Sequence, residues 1–230
     1  MMDIKIQASD ELLASAEYLM NFDFANRLLT QRRYSKDKLY SLHEPDVECI
    51  AKGKAHKKYE FGCKVGVVAT SRNCFILSSL AFHGVPYDGH TLAQNLAQAE
   101  SVITDLGEIK DAYADQGYRK HNYDADEITV NIVKSGWRKL DKALRKWLGR
   151  RSAIEPVIGH LKTDCRLSRN FLKGKDGDET NAILSAAGYN MRKLIAYIFC
   201  CIPKNCFILK FIAKILSNLT NQQKRICFNM

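Results

Sequence analysis

Two carboxylates, Asp115 and Glu155, stand where chemistry is easiest to place. Asp115 closes the run Ala112-Tyr113-Ala114-Asp115-Gln116-Gly117-Tyr118, and Glu155 lies within Arg150-Arg151-Ser152-Ala153-Ile154-Glu155-Pro156-Val157-Ile158-Gly159-His160-Leu161-Lys162. In α/β folds ligands gather outside strand ends, which suits Asp115. Arg151 precedes Glu155 by four residues and Lys162 follows it by seven. On a helix these three share one face. Carboxylates hold Mg²⁺ or Mn²⁺, and neighbouring cations hold phosphodiester oxygens. Two such metals about 4 Å apart activate a water or a 3′-hydroxyl and stabilise the leaving oxygen.

Plainer readings stand beside each residue. Ser152-x-x-Glu155 also fits a capping box, in which Glu155 only completes a helix N-terminus. Pro156 agrees with a helix starting nearby. Asp115 also fits a strand-end turn. Arg151 and Lys162 alone would be surface charges. His160 reads as a helix-surface or DNA-facing residue, and Trp147 as core or interface.

The elements that must position these groups follow from hydrophobic periodicity. Leu12, Leu13, Ala16, Leu19, Met20, Phe24 and Leu28 predict a helix over Glu11 to Leu29. Gln31 to Lys58 is polar and reads as loop or extended chain. Phe61, Cys63, Val65, Val67 and Ala69 alternate, which predicts one strand from Tyr59. Ser71-Arg72-Asn73 is a turn, and Phe75 to Phe82 returns as the second strand of a hairpin. Thr91 precedes the helical stripe Leu92, Leu96, Ala99 and Ile103. Ile109 to Asp115 and Ile128 to Val133 read as strands. Trp137 to about Leu167 reads as basic and helical, Lys173 to Asp178 as a loop, and Glu179 to Phe199 as a helix. This order predicts a mixed α/β sheet flanked by helices.

Charge divides the 230 residues unevenly. The chain carries 35 Lys+Arg against 25 Asp+Glu, a net of +10. Residues 138–175 hold 12 basic and 3 acidic residues, whereas residues 1–137 have a net of −3. Such a block is the footprint of a polyanion partner, above all nucleic acid. A hydrophobic content of 46% excludes a mainly disordered chain. No uncharged apolar run reaches the roughly 18 residues of a spanning helix. Met1 to Ser9 lacks the order of a signal peptide, so a cytoplasmic location is expected. The 8 cysteines include no C-x-x-C pair and read as packing thiols. Residues 197–230 carry five Lys/Arg and no acid, and Phe207, Ile208, Phe211, Ile212, Ile215 and Leu219 share a face. A helix docking on the domain or a dimer partner, a helix lying on an anionic membrane and an out-of-frame or read-through extension all fit that tail.

The spacing Arg151-x3-Glu155-x6-Lys162 resembles the Y-x2-R-x3-E-x6-K signature of DDE-type insertion-sequence transposases of bacteria. Arg150 to Asp164 (RRSAIEPVIGHLKTD) is similar to the long-subgroup version nearly letter for letter. Further blocks resemble the same subgroup: Lys38 to His43, Glu48-Cys49-Ile50, Lys52 to His56, Tyr59 to Gly62, Pro86 to Leu92 and Ala114 to Arg119. The resemblance runs from about Gln31 to Tyr197, and several ordered blocks make it specific. It implies an RNase H-like fold, with Asp115 as second and Glu155 as third catalytic acid, both binding two Mg²⁺ or Mn²⁺ ions. It implies DNA contacts from Arg150, Arg151, His160 and Lys162. The implied reaction is hydrolytic nicking of element ends, then strand transfer of the freed 3′-hydroxyl into target DNA.

The chain departs from the family pattern in three places. Leu148 stands at the signature tyrosine position. The first catalytic Asp lies on a strand upstream of the hairpin in the family, and Asp3, Asp10, Asp23, Asp37 and Asp46 match no such strand. The region after Tyr197 is unlike the family's short end. The expectation is a truncated transposase, with residues 1–37 a helical remnant, 38–197 an incomplete RNase H-like domain lacking its first strand, and 198–230 a basic tail. Its expected partner is double-stranded DNA, both element ends and target. It is expected in the bacterial cytoplasm on the nucleoid, as a homo-oligomer or mixed with full-length transposase. A non-catalytic DNA-binding remnant that inhibits a full-length relative is the alternative, and a membrane-surface protein acting through the tail is a third.

Overall fold

The computed structural model describes residues 15–52, 58–104, 107–124, 127–132 and 141–201. The elements in order are α1 (Ala16–Thr30), β1 (Cys49–Ala51), β2 (Tyr59–Phe61), β3 (Lys64–Ala69), β4 (Ile76–Phe82), α2 (Leu92–Ile103), β5 (Asp111–Ala114) and β6 (Thr129–Ile132). They are followed by α3 (Lys142–Arg150), α4 (Ile154–Thr163) and α5 (Gly174–Cys201). Short 3-10 turns over Asp88–Thr91, Gln116–Tyr118 and Arg151–Ala153 lead into α2, follow β5 and join α3 to α4. The chain divides into two units, Met1–Ala187 and Gly188–Met230, and only the end of α5 is described in the second.

A mixed α/β architecture is what the periodicity predicts, but the strands do not form one sheet. They form three two-stranded sheets: β1–β2 antiparallel, β3–β4 antiparallel and β5–β6 parallel. Among the described residues, one edge of β3 and one of β5 stay outside the ladders, and residues of both strands line a cavity of about 520 Å³. Leu92 and Leu96 of α2 and Ile154 and Ile158 of α4 line it as well.

Other differences have local causes. The strand predicted from Tyr59 breaks at Gly62, whose φ of +131° only glycine adopts comfortably. The break lets the chain leave its β1 partner and pair with β4. Cys49–Ala51, within a segment read as loop or extended chain, is the unforeseen partner of β2. The run expected to be helical to Leu167 ends at Thr163, and Arg166 adopts a φ of +59°. α5 starts at Gly174, inside the expected loop. There Gly177 lies so close to Leu172 that a Cβ would come within 2.9 Å of its backbone, so that glycine serves close packing. Leu12 and Leu13 of the predicted N-terminal helix and the tail from residue 202 lie outside the described residues. Among the described residues no helix is long and apolar enough to cross a membrane.

Helix α2 is the hub of the core. Leu92 and Leu96 pack with Ile128, and Ile109, Ala112, Tyr118, Tyr123 and Val130 close around them. Its polar contribution is Asn95, which is only 2% exposed. Asn95 accepts from Ser78 Oγ of β4 at 3.0 Å and donates to Thr91 O at 2.9 Å. A buried amide so satisfied fixes the rotation of α2 on the hairpin. Gly66 of β3 makes room for it, because a Cβ there would lie 2.3 Å from Asn95 Nδ2.

Gly66→Ala therefore forces Asn95 from its hydrogen bonds, at a cost of roughly 1–3 kcal/mol. Urea unfolding of Gly66→Ala, Asn95→Ala and the double variant measures it. The double variant should lose clearly less than the sum of the single losses, and strict additivity would show that the two residues do not compete for space.

Candidate active site

Asp115 follows directly on β5, at the C-terminal end of a strand in a parallel pair. Its Oδ1 accepts from Gly117 N at 2.8 Å, so it does make the strand-end turn anticipated from its type. That leaves Oδ2 turned toward Arg151, whose Nη1 lies 3.9 Å away. Arg151 sits in the turn between α3 and α4, and its Nε is buried without a hydrogen-bond partner. At Gly117 a Cβ would crowd two carboxylates, Asp88 Oδ2 at 2.8 Å and Asp115 Oδ1 at 3.0 Å. A third carboxylate therefore stands beside Asp115. Asp88 is tied to Lys64 Nζ at 2.9 Å. Burial, then the charges of Asp88 and Asp115, push the Tyr118 phenol above its ordinary pKa.

Glu155 occupies the first turn of α4 with an exposed carboxylate. The capping box does not form, since Ser152 Oγ donates to Gly149 O at 2.7 Å and the α4 N-cap is Ala153, with no side-chain cap. Lys162 does not turn to Asp115. Its Nζ lies 3.7 Å from Glu60 Oε2, an acid that also pairs with Lys52 at 3.3 Å. His160 Nδ1 pairs with Asp164 Oδ2 at 2.8 Å. The structure thus joins Asp115 to Arg151 and directs Lys162 and His160 to other acids.

Arg150 has a different task. Its Nε donates to Ser71 O at 3.0 Å and its Nη2 to Arg72 O at 3.1 Å, clasping the β3–β4 turn. Its guanidinium carbon also lies 5.9 Å from the Trp147 ring centroid, and that of Arg72 lies at 6.0 Å. Tyr113 stacks on Trp147 at 6.4 Å. Periodicity leaves Tyr113 and Asp115 on one side of β5. Asp88, Arg72 and Tyr113 were not apparent as site residues, because their meeting depends on tertiary packing rather than spacing. Leu148, at the position of the signature tyrosine, is buried at 4% exposure.

Residues 35–191 match the family model described as the transposase DDE domain. The chain belongs to the DDE transposase family. No curated protein and no solved structure matches it. The matched stretch takes in every described strand of the transposase and the whole run from Asp115 to Lys162. Membership implies a DNA partner and divalent-metal chemistry. The local donors agree with that chemistry. Asp115 and Glu155 offer only oxygen, the ligand type hard cations take. Lys142, Lys146, Arg166, Arg169, Lys173 and Lys175, from the basic block, are exposed.

Removing the Arg150 clasp should release the β3–β4 turn of the transposase. Arg150→Ala is expected to cost about 1 kcal/mol, since exposed charged contacts are screened. Hydrogen exchange should rise over residues 70–74 and Trp147 emission should shift to the red. Unchanged exchange there would show that the clasp does not hold the turn.

Proposed function

We propose that the chain is an insertion-sequence transposase domain, built for nicking element ends and transferring the freed 3′-hydroxyl into target DNA. The observation that carries this reading is the 3.9 Å meeting of Asp115 and Arg151 at the end of a parallel strand, beside the helix that bears Glu155. Asp115 and Glu155 would hold Mg²⁺ or Mn²⁺, which supplies the activated water or 3′-hydroxyl and steadies the leaving oxygen. The chain's own groups prepare that exchange. A phosphodiester that engages the Arg151 guanidinium, a fork suited to paired oxygens, takes it from Asp115. Asp115 Oδ2 is then released, while Gly117 N still fixes Oδ1. Arg150, His160 and Lys162 are the other proposed DNA contacts.

The second part of the proposal concerns completeness. We read the fold as RNase H-like and, among the described residues, one strand short, with the catalytic unit over 38–197. The cavity lined by both β3 and β5 supports this, because a further strand seated there would join two sheets into one. With Asp88 tied to Lys64, the two remaining acids, Asp115 and Glu155, hold two hard cations poorly. The chain alone therefore binds DNA and cleaves it weakly or not at all. It acts in the bacterial cytoplasm on the nucleoid, as a homo-oligomer or in mixed complexes. The same cavity favours the second reading, a DNA-binding remnant that inhibits a full-length transposase by mixing with it.

Strand cleavage and transfer on labelled element-end DNA with Mn²⁺ test both parts, using ends read from the flanking genomic sequence. The expected result is cleavage no greater than that of Glu155→Ala, with binding that weakens steeply as salt rises. Arg151→Ala and Lys162→Ala should each reduce the salt slope by about 1. Cleavage abolished by Glu155→Ala would overturn the impairment. Binding that ignores salt would overturn the DNA-processing reading itself.

A further inference from the structure

A second cluster shares no residue with the Asp115 site and forms where three segments distant in sequence meet. Cys63 precedes β3 and His83 follows β4. The register Lys64↔Phe82, carried on by one pair, sets Cys63 opposite His83. Asp178, in the first turns of α5, is the third member. One ligand atom from each of Cys63, His83 and Asp178 lies within 4.8 Å of the other two.

The two ring nitrogens of His83 are the informative feature. Both are buried and neither has a hydrogen-bond partner. Leaving such atoms unsatisfied is costly, so they call for a ligand. Nε2 faces Asp178 Oδ2 at 3.9 Å, and Nδ1 faces Glu48 Oε1 at 3.8 Å. The flanking acids are themselves held in place. Asp178 Oδ1 accepts from Asn170 Nδ2 at 2.8 Å, which leaves Oδ2 directed at His83. Glu48 accepts from Val85 N at 3.1 Å through Oε2 and from Gly84 N through Oε1.

We propose that Cys63, His83 and Asp178 form a Zn²⁺ site, with Glu48 orienting the imidazole from its other nitrogen. Thiolate, imidazole and carboxylate are the ligand set of zinc, and three protein ligands leave a fourth position for water. Bonds of about 2.0–2.3 Å draw such donors to within roughly 3.5 Å of one another, a short contraction from the present spacing. A carboxylate behind a ligating histidine is the usual support of such a site. In the metal-free protein, burial and then the charge and hydrogen bond of Asp178 push the Cys63 thiol up to about 12. A divalent cation between sulfur and carboxylate reverses that balance. The site clamps the start of α5 to the β3–β4 hairpin, and it differs from the oxygen-only pair Asp115 and Glu155 in its choice of metal.

The test uses the full chain, stripped with a chelator and shown to be folded by circular dichroism. Zn²⁺ is titrated in competition with a chromophoric chelator, and Co²⁺ is added as a spectroscopic probe. The expected results are one tight Zn²⁺ equivalent and a thiolate-to-Co²⁺ charge-transfer band. The band should vanish in Cys63→Ser and persist in Cys165→Ser and in Asp115→Asn. Glu48→Gln should weaken Zn²⁺ about 10–100-fold. A folded wild-type chain without the band overturns the proposal, whatever the variants do. A band that survives Cys63→Ser overturns it as well.

Discussion

Everything that places Asp115 depends on how α2 is gripped from two sides. Asn95 locks the helix to the β3–β4 hairpin through Ser78, and Leu92 and Leu96 pack it on the group that includes Ala112, Ile128 and Val130. No described ladder joins β3 to β5, so this helix is their shared support. The two grips differ in kind. Apolar burial supplies adhesion without direction, at roughly 25 cal/mol per Å². The Asn95 hydrogen bonds add direction, because a rotated α2 would leave a buried amide unpaired. Asp115 thus inherits its position from a helix it does not belong to.

Much of this was legible because it is periodic. The β3–β4 hairpin shows in the alternation from Val65 to Ala69, and α2 in Leu92, Leu96 and Ala99. What escaped depends on single residues or on distant partners. Gly62 breaks a run whose side chains still alternate, and its φ leaves no trace in that pattern. The β1–β2 pairing was hidden by a polar, lysine-rich connection. At the proposed site, the family-like spacing singled out Asp115, Arg151 and Glu155, and the fold brings the first two together. It could not reveal that Lys162 turns to Glu60, nor that Asp88 comes beside Asp115 at Gly117. Cys63, His83 and Asp178 are equally invisible to a reading that seeks closely spaced cysteines, since strand register and the start of α5 bring them together.

The Asp115–Arg151 pair also shows how a basic block can engage an acid from outside it. At 3.9 Å, with Asp115 half exposed, the pair is worth little to stability. That weakness suits an exchange. A tightly buried salt bridge would resist both metal and phosphate, whereas a loose one gives up either partner readily. Arg151 Nε, buried and without a hydrogen-bond partner, keeps unused donor capacity on the same guanidinium.

The open edges of β3 and β5 set a different kind of constraint. Residues of both line a cavity whose wall also includes Val65, Val67, Leu92, Leu96, Ile154 and Ile158. Such edges carry backbone donors and acceptors that a sheet would normally pair, and an apolar surround gives them few substitutes. An extended segment seated there would satisfy both edges at once, one by each of its own sides. It would also bury the valines without disturbing Asn95, which is already committed to Ser78 and Thr91. The position of such a strand beside Asp115 is what would make an acid on it relevant to the proposed metal site. Completing the sheet and completing the chemistry are, on this reading, the same structural event.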